Sequence, residues 1–207
     1  LFEQEEILTN QETPYKVFTY YADKWKSRPL PDPADDVNSF EAPEEISSGS
    51  LPDAESMGLE CNLTNHEWTP SPEAARDRWD TFRKDSLPTY DTNREIPARD
   101  GTSKLSPYLR FGLISPRRIV RDCQETIEKT DGNHRTSTQT FLEEIIWRDF
   151  YQQVLYNFPR VVDHNFKEQY DDVEWENHPD WLDAWKNGQT GIPIVDAAMR
   201  QLNETGW

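Results

Sequence analysis

From residue 71 onward apolar positions recur at helical spacing, and over no useful length do they alternate with period two. Earlier, residues 15–28 (YKVFTYYADKWKSR) predict one short helix started by Pro14, with Val17, Phe18, Tyr21 and Trp25 on its apolar side. The periodicity lapses over 29–70, where Pro29-Leu-Pro-Asp-Pro, Pro43, Pro52 and Pro70 surround Ser47-Ser-Gly-Ser. That stretch reads as a solvated linker between two domains. Beyond it Ser71-Pro72-Glu73 supplies a cap, a first-turn proline and an acid matched to the helix dipole, and Leu87-Pro88 closes that helix. Ser106-Pro107 and Ser115-Pro116 repeat the cap-then-proline start, the second opening a helix to about Lys129. A long helix is predicted from about Ser137 to Asn157, closed by Pro159. Two more start at Pro179 and Pro193 and end at Gly188 and about Asn203. With no strand predicted, the fold class is mainly α.

The long helix carries two faces. Leu142, Ile146, Phe150 and Val154 step by four and predict a buried side. Glu144, Trp147, Arg148 and Tyr151 fall at i, i+3, i+4 and i+7 on another. A carboxylate, an indole, a guanidinium and a phenol in one stripe suit a pocket wall, with rings to stack on a planar group and ions to orient its edges. The plainer alternative is an interface face with an intrahelical Glu144–Arg148 ion pair. A second candidate is Gly101-Thr-Ser-Lys-Leu-Ser-Pro-Tyr-Leu, where the Thr102 and Ser103 hydroxyls, Lys104 and the N–H groups of a helix start capped by Ser106 suit a phosphate. The alternative there is an ordinary capped helix, and the Walker A spacing is absent. Eight tryptophans are the third oddity, and Trp175, Trp181, Trp185 and Trp207 crowd the last 33 residues. They serve as core filler or as a relay for electrons.

Charge changes the picture. The 207 residues hold 39 acids against 22 bases, a net charge of −17, with a mean hydropathy of −0.94. Residues 1–100 hold 22 acids and 10 bases, and eleven acids with no base lie between Arg28 and Arg76. Such an excess argues against binding phosphates, but most of it lies away from the candidate site. Acid spread over a chain also fits a salty cytoplasm, an expectation that stability rises in molar KCl. The two cysteines, Cys61 and Cys123, exclude a disulfide scaffold and a four-cysteine zinc site, and suggest a reducing, cytoplasmic setting. Neither setting predicts a lowered thiol pKa. His66, His134, His164 and His178 lack metal-ligand spacing, so no metal site is predicted. No apolar run is long enough to cross a membrane. Leu1-Phe2-Glu3 has neither a basic leader nor an initiating Met, and reads as a cut within a longer chain.

Three stretches carry a resemblance. Thr102-Ser-Lys-Leu-Ser-Pro-Tyr-Leu-Arg-Phe-Gly-Leu-Ile-Ser-Pro-Arg, Phe141-Leu-Glu-Glu-Ile-Ile-Trp-Arg-Asp-Phe-Tyr and Thr190-Gly-Ile-Pro-Ile-Val-Asp-Ala-Ala-Met-Arg-Gln-Leu together resemble the photolyase/cryptochrome family, most of all its class I cyclobutane pyrimidine dimer photolyases. Thr13-Pro-Tyr-Lys-Val-Phe-Thr is similar to the last part of that family's N-terminal α/β antenna domain. The resemblance thus implies that residues 1–28 end that domain, 29–70 form the interdomain linker, and 71–207 form the first half of the helical FAD-binding domain. It implies light-driven repair, in which reduced FAD passes an electron to a pyrimidine dimer flipped out of DNA and the ring splits. It further implies a folate or deazaflavin antenna chromophore in the remainder of the N-terminal domain, a monomer, DNA containing pyrimidine dimers as partner, and no membrane.

By the same resemblance Tyr90, Thr102, Ser103, Lys104, Leu105 and Ser106 match flavin-binding positions, Phe141 a flavin-proximal aromatic and Arg148 a residue close to the flavin. Glu144 matches the carboxyl group that hydrogen-bonds the dimer, and its burial is expected to raise its pKa. Trp147 matches the indole that packs on the flipped bases. Arg94 matches a DNA contact, Tyr151 lies at the far end of the substrate face, and Trp175 matches the outermost tryptophan of the photoreduction chain. Arg94, Lys104, Arg110, Arg117, Arg118 and Arg121 are expected to include the basic contacts to DNA. By the resemblance the family's inner tryptophans and flavin-facing Asp residues follow Trp207, so the chain by itself is expected to hold flavin weakly or not at all and to be inactive alone. A cryptochrome, a (6-4) photolyase and an acidic helical interaction module are the rivals. Glu144 with Trp147 favours repair over signalling.

Overall fold

The computed structural model describes residues 1–32, 49–59 and 68–207. Most of the expected linker lies outside these residues, as do Cys61 and His66. The described residues fall into two compact units, one from residues 1–32 and 70–172, the other from 49–59, 68–69 and 173–207. Among the described residues the extended pairing is an isolated bridge between Leu8 and Pro14, and everything regular is helical.

In the first unit the helices are α1 (Phe18–Lys26), α2 (Pro72–Asp85), α3 (Tyr90–Asn93), α4 (Ser106–Arg110), α5 (Pro116–Lys129) and α6 (Gly132–Asn157). α6 is the axis against which α1, α3, α5 and a 3₁₀ turn at Leu87–Thr89 pack. α1 begins three residues later than the sequence predicts, because Pro14 is held in the bridge and Val17 is extended at φ −126°, ψ 127°. Val17 consequently faces solvent, while Tyr21 and Trp25 are buried. α2 starts as predicted, with the Ser71 hydroxyl accepting from Ala74 N at 3.1 Å. α4 does not: Ser106 is its first helical residue, Leu105 holds the cap position, and no side chain caps it. α6 starts five residues before Ser137. Its first turn, Gly132-Asn-His-Arg-Thr, has no apolar residue to reveal it.

The core is aromatic and aliphatic. Leu142, Ile145, Ile146 and Phe150 of α6, Trp79 and Phe82 of α2, and Ile119, Val120 and Cys123 of α5 are all buried, and Phe141 of α6 meets the Phe82 ring at 4.9 Å and the Trp79 ring at 5.6 Å. Trp79 Nε1 donates to Asp122 Oδ2 at 2.6 Å and so ties α2 to α5. In the second unit lie α7 (Pro179–Lys186) and α8 (Pro193–Thr205). The Asp196 carboxylate of α8 reaches back to accept from Thr190 N and Oγ1 and from Gly191 N at 2.6 to 3.1 Å. These bonds, the Thr190 hydroxyl first, hold its pKa below the ordinary carboxylate value. Gly188 (φ +62°) is required before this cap, since a Cβ there would sit 2.8 Å from the Asp196 carbonyl oxygen. No helix among the described residues is long and apolar enough to cross a membrane.

Candidate functional site

The site is built on α6. Burying Leu142, Ile146 and Phe150 leaves Glu144, Trp147 and Arg148 half-buried on a second face, with Tyr151 exposed at its end. Trp147 lies flat on Phe18 of α1, with ring centres 3.6 Å apart and planes within 6°. Tyr151 stacks beside it at 5.4 Å and Phe150 meets it edge-on at 5.7 Å.

Glu144 is paired from across the fold. Arg94, just past α3, donates from Nη1 to Glu144 Oε1 at 2.5 Å and from Nε to Glu95 Oε1 at 2.9 Å. The intrahelical Glu144–Arg148 pair of the alternative reading does not form: Arg148 Nη2 points to the Leu109 carbonyl, 3.5 Å away. The hydrogen bond to Glu144, then that to Glu95, raises the Arg94 pKa, so its charge is permanent. The carboxyl side chain of Glu144 keeps 41% of its surface open. The burial expected for this carboxyl group is therefore not present.

Ser137 explains why Arg94 arrives there. Its buried hydroxyl donates to the Leu87 carbonyl at 2.7 Å and accepts from Asp91 N at 3.0 Å. One small residue of α6 thus pins the 3₁₀ turn and α3 against the long helix. Tyr90 is carried into an aromatic cluster with Phe82, at 5.8 Å, and Phe141, at 5.2 Å, while Arg94 lies 5.5 Å over the Tyr90 ring. Burial raises the Tyr90 phenol pKa, and the Arg94 charge opposes that rise.

The Thr102–Ser106 segment is anchored by Gly101. A Cβ at 101 would come 2.7 to 2.9 Å from the Asn93 Cβ, carbonyl carbon and oxygen, so only glycine lets the chain run this close to α3. Thr102 and Ser106 are exposed, and Ser103 and Lys104 half-buried. Lys104 takes a positive φ of 51° and pairs with Asp100 at 3.3 Å. The Ser103 hydroxyl accepts from Leu105 N at 3.4 Å, and the Leu105 side chain is in the core, so Leu105 offers a ligand only backbone. Phe141 is likewise buried.

The remaining predicted residues are dispersed. Trp175 belongs to the second unit and is 75% exposed. It borders an open groove of about 600 Å³ that also takes in His178, Pro179, Trp181 and Leu182. Besides Arg94 and Lys104, three more of the six cations expected to meet DNA are engaged within the chain. Arg117 donates to the Leu1 carbonyl, Arg121 to the Pro31 carbonyl, and Arg118 lies 3.8 Å from Asp122. Arg110 is exposed at the end of α4.

Residues 141–207 match the FAD binding domain of DNA photolyase. Over its whole length the chain is 37% identical to the deoxyribodipyrimidine photo-lyase of Alkalihalophilus pseudofirmus, covering 43% of that protein. Over 95% of its length it is 37% identical to that of Halobacterium salinarum, covering 42%. The solved bacterial class III photolyase from Agrobacterium tumefaciens superposes with a TM-score of 0.85 at 31% identity, covering the whole chain and 43% of that one. The chain belongs to the photolyase/cryptochrome family. A Synechocystis cryptochrome, at TM-score 0.68 and 24% identity, shares the fold. The chain spans somewhat under half the length of the curated photolyases it matches.

Sequence reasoning missed three residues that position this face of α6. Asp149, 2% exposed, accepts from Tyr21 Oη and Trp25 Nε1, each at 3.0 Å, and so fastens α1 to α6. An acid inside an aromatic run, Trp-Arg-Asp-Phe-Tyr, was the available signal, since a buried carboxylate needs donors. Ser137 and Phe18 left no such signal. The first looks like any polar residue and the second like one more core aromatic.

Proposed function

We propose that the complete protein carrying this chain is a light-driven DNA repair enzyme that splits cyclobutane pyrimidine dimers. The observation that carries the reading is the α6 stripe. A flat indole, a paired carboxylate, a guanidinium and an exposed phenol share one face in a chain of photolyase ancestry. Trp147 and Tyr151 offer ring faces to bases taken out of the stack, where each stacked base contributes roughly 1–3 kcal/mol. Glu144 turns its carboxyl group to the polar edge of the dimer, while Arg94 remains beside it as the cation nearest the incoming strand.

FAD fits the donor set present. Two hydroxyls, Thr102 and Ser103, and the Lys104 ammonium lie consecutively on a segment that Gly101 holds close to α3, which suits a diphosphate. Ser106 and the backbone of Leu105 extend the same edge, and Tyr90, Phe141 and Arg148 lie on the α3–α6 side. Bound and reduced, the flavin supplies the photoexcited electron. The chain's own residues bind and orient, keep water from the stacked bases and hold a hydrogen bond at the dimer carbonyl. Trp175, exposed, is the surface end of the electron path that keeps the flavin reduced. A second, light-harvesting chromophore of the folate or deazaflavin type belongs to the antenna domain.

The test is Trp147→Ala in the complete protein, titrated with an oligonucleotide containing one dimer. Loss of one stacked contact predicts roughly fivefold to a hundredfold weaker binding. Undiminished affinity overturns the repair reading. Glu144→Ala is expected to leave binding nearer normal and to lower the repair yield per photon.

A further inference from the structure

We propose that Phe18 of α1 is a positioning residue that sets the plane of the Trp147 indole, and so determines how a flipped base stacks on it. The proposal rests on the repair reading above and adds a residue outside the α6 stripe.

Among the described residues Trp147 meets the rings of Phe18, Phe150 and Tyr151, and of these Phe18 alone lies both close and parallel. The centres are 3.6 Å apart and the planes 6° from parallel, against 25° for Tyr151 and 79° for Phe150. A tryptophan on a half-exposed helix face has two side-chain torsions to settle, and a flat neighbour removes freedom from both. Phe150 also meets Phe18 edge-on, at 5.9 Å and 75°, which limits rotation of the Phe18 ring itself.

The position of Phe18 is in turn fixed. Phe18, Tyr21 and Trp25 fall at i, i+3 and i+7 on one side of α1. Tyr21 Oη and Trp25 Nε1 both donate to Asp149 Oδ2, on a residue two places from Trp147. The helix that presents Phe18 is therefore bonded to the same turn of α6 that presents the indole. Lys26 adds an exposed ion pair to Glu143 at 2.6 Å. This geometry preorganises the stacking platform before substrate arrives, and a preorganised ring forfeits less freedom on binding.

The experiment uses the complete protein with Phe18→Leu, which keeps an apolar side chain but removes the flat ring, and Phe18→Tyr, which keeps the ring. Phe18→Met is the substitute should the leucine variant not fold. The affinities for dimer-containing and undamaged oligonucleotides are measured side by side. The Trp147 band in near-ultraviolet circular dichroism is identified by its loss in Trp147→Phe. Phe18→Leu is expected to weaken dimer binding roughly threefold to tenfold, with affinity for undamaged DNA unchanged and the Trp147 band diminished. Phe18→Tyr is expected to retain all three. Unchanged dimer affinity in Phe18→Leu overturns the proposal, and so does equal weakening on damaged and undamaged DNA. If Trp147→Ala itself leaves dimer binding untouched, the repair reading falls on its own account. The positioning role is then decided by the dichroism band alone, and a band of full strength in Phe18→Leu overturns it.

Discussion

Tyr21→Phe tests the fastening of α1 to α6 with the loss of one oxygen atom. The Tyr21 hydroxyl is buried and donates at 3.0 Å to Asp149 Oδ2, an oxygen it shares with Trp25 Nε1. A hydrogen bond to a charged group contributes about 1.5–3 kcal/mol, and removing one donor leaves Asp149 Oδ2 with the Trp25 indole as its remaining donor. Taking about 2 kcal/mol, opening of α1 becomes roughly thirtyfold more frequent. Amide hydrogen exchange in the complete protein reads this directly, with Phe18–Lys26 as the probe and Pro116–Lys129 as the internal reference. The bond also has a pH signature. Burial first, then the charge of Asp149, raises the Tyr21 phenol pKa, so the folded chain keeps a proton that the unfolded chain releases near pH ~10. Its stabilising contribution is complete below that pH and declines above it, a decline that Tyr21→Phe removes. Exchange in α1 accelerated less than about threefold, or accelerated equally in the reference helix, refutes the reasoning.

Cys123 is fully buried and its thiol pKa is pushed up to about 12, chiefly by burial. In a Cys61→Ser background the native protein is expected to resist a chromogenic disulfide reagent until denaturant is added. Rapid stoichiometric labelling in native buffer contradicts that burial. Asp196→Asn removes a carboxylate whose folded pKa is depressed, so its contribution is present at neutral pH and lost as acid protonates it. The variant is expected to melt lower at neutral pH and to lose part of the wild-type sensitivity to acid, and parallel melting curves at every pH exclude the capping role. Trp175→Phe is expected to slow photoreduction of oxidised flavin in the complete protein while leaving dimer repair by pre-reduced enzyme intact. Equal photoreduction rates remove Trp175 from the electron path. Thermal midpoints in dilute buffer and in molar KCl test the salt expectation, which predicts a rise for a chain of net charge −17.

The helices of the second half were legible because prolines and glycines mark their ends. Pro179, Pro193 and Gly206 stand where chain stiffness and a left-handed turn demand them. Boundaries failed where the deciding force was tertiary. α1 starts late because the bridge from Leu8 captures Pro14. α6 starts early on polar residues whose hydrogen bonds, such as Asn133 Nδ2 to the Pro88 carbonyl, leave no periodic trace. The stripe Glu144, Trp147, Arg148 and Tyr151 followed from helical geometry alone. Its partners did not, because Arg94 and Phe18 lie far back along the chain, Arg94 50 positions before Glu144, and nothing local announces such pairings. The spacing of Glu144 and Arg148 suggested a bond within the helix, but a guanidinium docked by Ser137 took the acid instead.

Five of the eight tryptophans stand at two optical extremes, while Trp68, Trp147 and Trp207 are half-buried between them. Trp25 and Trp79 are 1% and 0% exposed, in a dry aromatic interior, whereas Trp175, Trp181 and Trp185 stand open to water. Emission from the first pair belongs at the blue side of the band and resists collisional quenchers. The second group emits to the red and is readily quenched. The quencher's sign matters as well, since a surface this acidic repels iodide and gathers caesium. A pair of quenching curves, one for each ion, therefore reads the local charge around the exposed indoles without a label, and a change in either curve on adding DNA reports which side of the chain the phosphates approach.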